Sequence, residues 1–262
     1  MLIQTNRVLA SSALFRRWFL TPPQGAGYTV GGGDFHKIGQ HFRQHFIQLG
    51  GLQPQHKVLD VGCGTGRMAV PLTSYLNAQG EYWGFDITSA GITWCQTHIS
   101  PRFPNFHFQQ VDVYNSFYNP TGTIQPQDYA FPFADGTFDF IFLTSIFTHL
   151  LPAAMANYLA EVARTLKPGG RCFITYFLRN PEAIALMTAG HSKFQFDHAI
   201  DNYCWAADPT NLEAAVAYDE AYVRQLYPAN GLMLFNPIHY GSWCGRQSTP
   251  SFQDIAIATR TD

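Results

Sequence analysis

The fold of this chain is decided by residues 58–66, which read VLDVGCGTG. A mostly apolar run leads directly into three glycines, and apolar side chains at helical spacing follow from Met68. A strand that runs through a glycine-rich turn into a helix is typical of the first unit of a doubly wound α/β sheet. Ligands of such sheets lie across the carboxyl ends of the strands, so these glycines allow the backbone to approach a ligand closely.

The rest of the chain continues the alternation of strands and helices. Further strands are predicted at residues 82–87, 105–113, 138–147 and 171–178, with helices at 68–75, 92–98 and 155–166. One more helix, at residues 35–49 with Asp34 as its N-cap, precedes the first strand. Such alternation requires crossover connections, which predict a mainly parallel sheet with helices on both faces.

Four segments organise the chain. Residues 1–50 are expected to cover the ligand site, residues 51–179 to form the ligand-binding core, and residues 231–262 to complete the sheet with a pair of strands. Residues 180–230 are rich in aromatic side chains and are interpreted as a helical lid inserted between strands 5 and 6. Residues 114–135 are long for a connection in a compact domain, which is typical of a functional loop.

Composition and charge argue against nucleic acid and membranes as partners. The 262 residues carry a formal net charge of −2 and 13% of them are charged, so no general field attracts a phosphate backbone or an anionic membrane. No apolar run is long enough for a spanning helix, and Arg16 and Arg17 argue against a secretory signal. The five cysteines form no CxxC pair, which favours a cytoplasmic protein without a disulfide framework. Nothing in the sequence specifies an oligomeric state.

The spacing and charge of the glycine-rich turn indicate which ligand it holds. A nicotinamide dinucleotide favours G-x-G-x-x-G, whereas the glycines here have the spacing G-x-G-x-G and Arg67 follows. A P-loop is excluded because no Gly-Lys-Ser/Thr sequence follows the turn. Asp60, just before the turn, would repel a pyrophosphate but favours a ligand with ammonium and sulfonium charges, such as S-adenosylmethionine.

Two further acids end the next two predicted strands. Asp86 ends the second strand, and an acid at that position accepts hydrogen bonds from ribose hydroxyls in doubly wound folds. Asp112 ends the third strand, within reach of an adenine amino group. Each acid alone would also fit as a helix N-cap, but acids at three successive strand ends favour the ligand site.

The ordered set of motifs resembles the class I methyltransferases, in their small-molecule branch. The matching stretches cover about half of the chain and read VLDVGCGTG at 58–66, GFDI at 84–87, VDV at 111–113, FPFADGTFDFIFLTS at 131–145 and LKPGG at 166–170. The resemblance implies a Rossmann-like sheet in the strand order 3-2-1-4-5-7-6, with the last strand antiparallel. It also implies S-adenosyl-L-methionine as methyl donor and S-adenosyl-L-homocysteine as product.

The resemblance also implies where the methyl donor lies. Asp86 is expected to bind ribose, while Asp112 and the backbone of Val113 contact adenine. The residues predicted at the cofactor are Asp60, Gly62, Cys63, Gly64, Thr65, Gly66, Asp86, Ile87, Asp112, Val113 and Thr144. The long loop and the lid depart from the family pattern, and members of the family differ in substrate there.

His149 is the predicted catalytic residue. It lies between the fourth strand and Pro152, which opens the next helix. Methyl transfer is an in-line displacement, and a hydroxyl acceptor must lose its proton as it attacks, a role that suits the ordinary pKa of histidine. A histidine that caps the helix entry or binds a loop carbonyl explains the same position as well.

Aromatic residues and histidines outside the predicted core are the candidate substrate contacts. Rings can stack on a flat acceptor, although most rings of the lid are expected to form its own core. The candidates are Tyr28, Phe35, Tyr203, Trp205, His239 and Trp243, of which the last two could equally be packing residues. His41 and His45 have the spacing of half a metal site, but a solvated helix face is the preferred interpretation and no metal is predicted.

The sequence as a whole predicts an enzyme that methylates a hydroxyl group of a small sugar-like or natural-product acceptor. The preference for oxygen rests mainly on His149. The alternatives are N- or C-methylation of a small metabolite, a non-catalytic module that binds S-adenosylmethionine, and a nicotinamide oxidoreductase that would bind NAD. Protein or RNA methylation is disfavoured because residues 143–146 read LTSI rather than Asn/Asp-Pro-Pro-Tyr/Phe.

Overall fold

Strands and helices alternate along the chain, in a computed structural model that describes residues 20–23 and 32–262. The strands are β1 (Lys57–Val61), β2 (Glu81–Asp86), β3 (Phe106–Gln110), β4 (Phe138–Leu143), β5 (Leu166–Tyr176), β6 (Leu178–Arg179), β7 (His198–Ala199), β8 (Cys204–Ala206), β9 (Val216–Asp219), β10 (Leu232–Leu234) and β11 (Asp254–Arg260). The helices are α1 (Phe35–Gln48), α2 (Ala69–Leu72), α3 (Ser89–His98), α4 (Pro152–Thr165), α5 (Pro181–Thr188) and α6 (Glu220–Ala229). Short 3₁₀ turns lie at Pro126–Asp128 and Leu212–Ala214.

The central sheet has seven strands in the order β3-β2-β1-β4-β5-β11-β10. Strands β1 to β5 pair in parallel, and β11 runs antiparallel to both β5 and β10. This topology confirms the predicted doubly wound α/β fold with an antiparallel last strand. The strand order reverses at β1, which lies between β2 and β4, and such a reversal opens a crevice at the carboxyl ends of the strands.

Both faces of the sheet are buried against helices. In β4, Phe140 and Phe142 belong to the apolar cluster that includes Phe46 of α1. Ile141 belongs to the opposite cluster, which includes Met155 of α4. Phe46 stacks on Phe142 with 4.3 Å between the ring centroids. Alternate residues of one strand therefore fill two cores, as expected for a sheet covered on both sides.

The helices next to β1 differ in how well their limits were predicted. Helix α1 begins after Asp34, whose carboxylate accepts a hydrogen bond from the backbone N–H of Lys37 at 2.8 Å, so the predicted N-cap is confirmed. Helix α2 ends at Leu72, earlier than predicted. The hydroxyls of Thr73 and Ser74 donate to the carbonyls three residues earlier, at 2.7 and 3.1 Å, and side chains that bond to nearby carbonyls compete with continued helix.

Residues 180–230 form a mixed α/β unit, so the prediction of a helical lid is wrong in its composition. Besides α5 and α6, this part of the chain contains β7, β8 and β9, which pair with the preceding β6 in a second sheet of the order β6-β9-β8-β7. Strand β9 is fixed to the segment after β4, because the backbone N–H of Val216 donates to the carbonyl of Thr148 at 2.8 Å. The strands of this sheet have two to four residues, which is too short for an alternating pattern to be visible in the sequence. Within the described ranges, no helix is long and apolar enough to cross a membrane.

A buried ionic network joins β11 to the inserted unit. The Asp254 carboxylate is fully buried and accepts hydrogen bonds from the backbone N–H groups of Leu178 and Gly241, at 2.8 and 2.7 Å, and from the indole N–H of Trp243 at 2.7 Å. Arg246 lies 3.3 Å from Asp254 and also pairs with Glu182 of α5 at 2.7 Å. Three segments that are distant in sequence therefore meet at one carboxylate.

We expect Asp254→Ala to lower the free energy of unfolding by about 3–5 kcal/mol, because it breaks the buried ion pair with Arg246 and leaves the donors of Leu178, Gly241 and Trp243 without their acceptor. Urea denaturation followed by tryptophan fluorescence measures this change. Asp128→Ala, which removes an exposed carboxyl, is the control and should change stability by less than about 0.5 kcal/mol. Equal midpoints for the two variants would contradict this role of Asp254.

Candidate active site

A cavity of about 910 Å³ lies at the carboxyl ends of β1, β2 and β4. Its walls come from the glycine-rich turn, the ends of these strands, and loops of the inserted unit and of residues 242–253. The residues predicted at the cofactor that line it are Asp60, Gly62, Cys63, Gly64, Asp86, Ile87, Val113 and Thr144. His149, the predicted base, lines the same cavity. The structure therefore brings most of the predicted site together at the predicted edge of the sheet.

The glycine-rich turn has a backbone conformation that side chains disfavour. Gly62, Gly64 and Gly66 have φ angles of +78°, +52° and +77°. At Gly62 an added Cβ would lie 2.1 Å from Cδ1 of Ile146, so a side chain there would also collide with the segment after β4. Positive φ values and close contacts explain why this turn requires glycine.

Asp86 fixes the turn from the end of β2. One carboxylate oxygen accepts a hydrogen bond from the backbone N–H of Gly64 at 2.7 Å. The other accepts from the backbone N–H and the hydroxyl of Thr88, at 2.8 and 2.6 Å. Asp86 therefore holds the turn in place at the same time as it faces the cavity, and Oδ2, which accepts one hydrogen bond, retains capacity for a further donor.

Asp60 is a buried acid with one unused oxygen. The Tyr82 hydroxyl donates to Oδ2 at 2.5 Å, while Oδ1 has no hydrogen-bond partner among the described residues. Only 1% of the residue is exposed, and this burial raises the pKa of the Asp60 carboxyl to about 8. A buried carboxyl without a full set of partners at a cavity wall is suited to a cationic ligand, which would favour its ionised form.

The remaining predicted cofactor residues lie next to the cavity rather than in its lining. Thr65 is a buried residue of the turn itself, between Gly64 and Gly66. Asp112 is exposed, and its carboxylate accepts a hydrogen bond from the hydroxyl of Thr123 at 2.5 Å. This bond lowers the pKa of Asp112 and directs its side chain to the loop that follows β3. Its neighbour Val113 lines the cavity, so the backbone contact predicted there has the required position.

Two glycines that sequence analysis missed allow helices to approach the turn. An added Cβ at Gly91 of α3 would lie 2.7 Å from the carbonyl oxygen of Gly64, and one at Gly39 of α1 would lie 2.4 Å from that of Arg67. Both obstacles are backbone atoms, which cannot rotate away. Glycine within a predicted helix is a signal for such close approach, because glycine otherwise disfavours helices.

We expect Gly91→Ala to lower the free energy of unfolding by about 1–3 kcal/mol, because the added methyl group must displace the backbone of the turn. Alanine normally stabilises a helix relative to glycine, so the expected change in the free energy of unfolding is opposite in sign to the change that helix propensity alone predicts. Thermal unfolding measures the change. Ser89→Ala, at an exposed position of the same helix, is the control. A Gly91→Ala variant as stable as the control would show that the turn tolerates the methyl group.

His149 lies between the cavity and the inserted unit. Its Nδ1 is 2.9 Å from the carbonyl oxygen of Glu213. Because a carbonyl only accepts, Nδ1 carries the proton in the neutral ring and Nε2 keeps its lone pair. Burial lowers the pKa of the His149 imidazole below 6.5, so the ring is neutral at pH 7. The arrangement provides a neutral base of fixed tautomer on the cavity wall.

Glu213 also fixes the long loop. Its carboxylate accepts hydrogen bonds from the backbone N–H and the hydroxyl of Ser116, at 3.2 and 2.5 Å. Tyr114, Asn115 and Tyr118 of this loop line the cavity. The loop at 114–135, predicted to be functional from its length alone, therefore contributes one wall of the cavity.

The predicted substrate contacts lie outside the cavity lining in the part of the chain that the structure describes. Tyr203 stacks on Tyr222 with 3.6 Å between centroids, and the Arg179 guanidinium lies 3.7 Å from the ring centroid of Trp205. Trp243 is fully buried and bonded to Asp254. Phe35 and His239 are likewise absent from the lining, and Tyr28 lies outside the described residues.

Residues other than the predicted substrate contacts form this part of the cavity wall. Phe177, Lys193, Phe194, Phe252 and Gln253 line the cavity, together with His41 of α1. Lys193, Phe194, Phe252 and Gln253 lie in irregular connections, so no periodic pattern marks them as cavity residues. The helix face that carries His41 and His45 is not wholly solvated, because His45 also contacts the carbonyl oxygen of Pro250 at 2.9 Å.

The sequence of the core matches a known family. Residues 58–170 fit the model of a family described as a methyltransferase domain, and this stretch contains the glycine-rich turn and strands β1 to β4. Residues 58–170 are a methyltransferase domain. The fold around it is that of the class I methyltransferases. This domain includes most of the predicted cofactor site, whereas the inserted unit and residues 242–253 lie outside it.

Curated methyltransferases from a fungus and from a mycobacterium are similar to part of this chain. It is 28% identical over 134 residues to the O-methyltransferase cnsE of Penicillium expansum, which covers 50% of this chain and 41% of that protein. It is 35% identical over 124 residues to the phthiotriol/phenolphthiotriol dimycocerosates methyltransferase of Mycobacterium tuberculosis, which covers 47% of this chain and 37% of that protein. The aligned part of the chain thus spans about two fifths of the length of these curated relatives.

A solved structure shows the same fold. The magnesium protoporphyrin IX methyltransferase of Synechocystis PCC 6803, determined with bound SAH (S-adenosylhomocysteine), aligns over 95% of both chains with a TM-score of 0.53 and 17% identity. At this level of identity the similarity concerns the fold alone.

Proposed function

We propose that this chain is an S-adenosylmethionine-dependent methyltransferase that methylates a hydroxyl group of a small molecule. The observation that carries the proposal is the unpartnered Oδ1 of buried Asp60 beside a glycine-rich turn whose backbone faces a large cavity. A volume of about 910 Å³ is at the upper end of the range for ligand pockets, which leaves room for a cofactor and a small acceptor together.

The residues of the cavity fit this cofactor. The ammonium and sulfonium charges of S-adenosylmethionine are attracted by Asp60, whose ionised form they stabilise. Asp86 has an unused lone pair on Oδ2 for a ribose hydroxyl, and the apolar Ile87 and Val113 provide surfaces for adenine. The bound cofactor supplies an electrophilic methyl group on sulfur.

His149 is the residue proposed to remove the acceptor proton. As the acceptor oxygen forms its bond to the methyl carbon, Nε2 of His149 takes the hydroxyl proton. The cofactor, when bound, would supply the methyl group and keep the electron pair of the carbon–sulfur bond on sulfur, with S-adenosylhomocysteine as product. The carbonyl of Glu213 keeps the imidazole oriented and favours the imidazolium that forms, because its oxygen accepts a hydrogen bond from Nδ1.

The shape of the cavity supports a small molecule as the acceptor. The cavity is closed by loops on several sides, which favours a small sugar-like or natural-product acceptor over a folded macromolecule. The relative from Penicillium expansum is named an O-methyltransferase, in keeping with a hydroxyl acceptor. The five cysteines are all free and buried, which favours the reducing cytoplasm as the site of action.

Two measurements test the proposal. Calorimetry should detect binding of S-adenosylmethionine and of S-adenosylhomocysteine but not of NAD. An assay with methyl-labelled S-adenosylmethionine should transfer label to members of a panel of small hydroxyl compounds. Label transfer confined to amines or activated carbon would replace O-methylation by N- or C-methylation, and binding without any transfer would favour a non-catalytic module. Binding of NAD alone would reject the proposed cofactor.

A further inference from the structure

Three phenylalanine rings meet on one wall of the cavity. Phe177 lies 5.3 Å from Phe194 and 6.0 Å from Phe252, measured between ring centroids, and Phe194 lies 6.2 Å from Phe252. Phe177 is buried after β5, whereas 41% of the surface of Phe252 is exposed. Exposure of a large ring at a cavity wall leaves apolar surface that a ligand can cover. We call this set the phenylalanine wall.

The phenylalanine wall carries one ammonium group. Nζ of Lys193 lies 5.3 Å from the centroid of Phe252 and 5.9 Å from that of Phe194. No carboxylate of residues 20–23 or 32–262 forms an ion pair with Lys193, in contrast to Lys57 and Lys167, which pair with acids at 2.8 and 2.7 Å. An ammonium on apolar rings without a counter-ion is available to an anionic ligand.

The backbone around Lys193 is fixed. Its N–H donates to the carbonyl of Trp243 at 3.1 Å, and the hydroxyl of Ser192 donates to the carbonyl of Phe194 at 2.5 Å. Trp243 is in turn bonded to buried Asp254. The base of the lysine side chain therefore has a defined position, which reduces the entropy lost when a ligand engages the ammonium group.

The charges of the cavity are separated. The acids of its lining, Asp60 and Asp86, belong to the ends of β1 and β2 and outnumber Arg67, the cation that follows the glycine-rich turn. Lys193 belongs to the phenylalanine wall, outside the matched methyltransferase domain. The two walls therefore favour ligand groups of opposite sign: a cationic cofactor at the strand ends and an anionic group at the phenylalanine wall.

We propose that the acceptor is a planar aromatic compound that carries a carboxylate, with its ring on the phenylalanine wall and its carboxylate on the ammonium of Lys193. This inference rests on the proposed function, because it assigns the acceptor to the cavity that also holds the cofactor. Ring–ring contact provides apolar burial, and a charge-assisted hydrogen bond to Nζ selects the anion. Neutral aromatic compounds of the same shape lack the second interaction.

Calorimetry with matched probes tests the inference. 2-Naphthoate and 2-naphthamide have the same ring and differ in charge, and each is titrated into protein saturated with S-adenosylhomocysteine. We expect the wild type to bind the carboxylate about tenfold more tightly than the amide. Lys193→Gln should abolish this preference, Lys193→Arg should retain it, and Lys37→Gln on the surface of α1 should leave it unchanged. The preference should also weaken at high salt.

The outcomes separate this inference from the proposed function. Equal affinity of the wild type for the two probes, an unchanged preference in Lys193→Gln, or no binding of naphthoate would overturn the assignment. Weaker binding of S-adenosylhomocysteine itself to Lys193→Gln would assign the lysine to the cofactor and also overturn it. If the wild type does not bind S-adenosylhomocysteine at all, the proposed function fails before the acceptor is tested.

Discussion

His149→Gln should lower kcat of methyl transfer to a hydroxyl acceptor by about a hundredfold or more, the usual range for loss of a general base. Glutamine retains polarity but takes no proton from the acceptor. Binding of S-adenosylhomocysteine, measured by calorimetry, should stay within about threefold of the wild type, because the change removes a step of the reaction rather than a cofactor contact. His198→Gln, at an exposed position of β7, is the matched control.

The pH profile gives an independent test of the same role. Burial lowers the pKa of His149 below 6.5, so the neutral, proton-accepting form predominates at neutral pH and is lost as the pH falls through this lowered pKa. We therefore expect kcat of the wild type to be level above pH 7 and to fall in acid, while the residual activity of His149→Gln lacks this acid limb. Wild-type turnover in the variant, with an unchanged profile, would show that His149 only binds the loop carbonyl.

Asp60→Asn should raise the stability of the free protein while it weakens cofactor binding. Burial raises the pKa of Asp60 from 3.8 in the unfolded chain to about 8. An acid with a raised pKa binds its proton more tightly in the folded state, so the free energy of unfolding falls as the pH rises from about 4 to about 8 and the full penalty applies above pH 8. At about 1.4 kcal/mol per pKa unit, this penalty is on the order of 5 kcal/mol. Asparagine has no charge to bury and can still accept from Tyr82.

Two measurements check the expectation for Asp60. The variant should unfold at a higher urea concentration than the wild type at pH 9, and the difference should shrink toward pH 4. Its affinity for S-adenosylmethionine should be at least about tenfold weaker at pH 8, because the neutral amide does not attract the sulfonium and ammonium charges. Asp128→Asn, an exposed change, is the control for both. Unchanged affinity would remove Asp60 from the proposed cofactor site, whatever the stability.

The central sheet could be predicted because its signals are local and repeated. The strands of the core are short runs rich in apolar and aromatic residues, such as the FDFIFL of β4, and they alternate with helical segments, which predicts parallel crossovers. The order of the strands came from the resemblance of the motifs, which extends over residues 58–170. The small sheet β6-β9-β8-β7 was missed because its stability depends on pairings between distant short segments, such as Cys204 with Tyr218.

The two halves of the candidate site also differ in how far they could be predicted from the sequence. The half that contains Asp60, Gly62 and Asp86 could be predicted because its residues occupy fixed positions in and around one turn. A positive φ in that turn requires glycine, and a cationic ligand beside it favours acids. The half that contains Lys193 and Phe252 could not, since both lie in irregular connections whose path depends on the Asp254 network. The aromatic residues chosen from the sequence, Tyr203 among them, pack on neighbours instead of lining the cavity.

The close approach of α1 and α3 to the glycine-rich turn has a consequence for the divergence of this protein. Because an added Cβ at Gly39 or Gly91 would lie against the backbone of the turn, substitutions on that side alter several elements at once. In the phenylalanine wall, by contrast, Phe252 is 41% exposed, so its side chain can be exchanged without displacing backbone. At the proposed acceptor site, we therefore expect single mutations at Phe252 to alter acceptor preference more readily than mutations beside the glycine-rich turn.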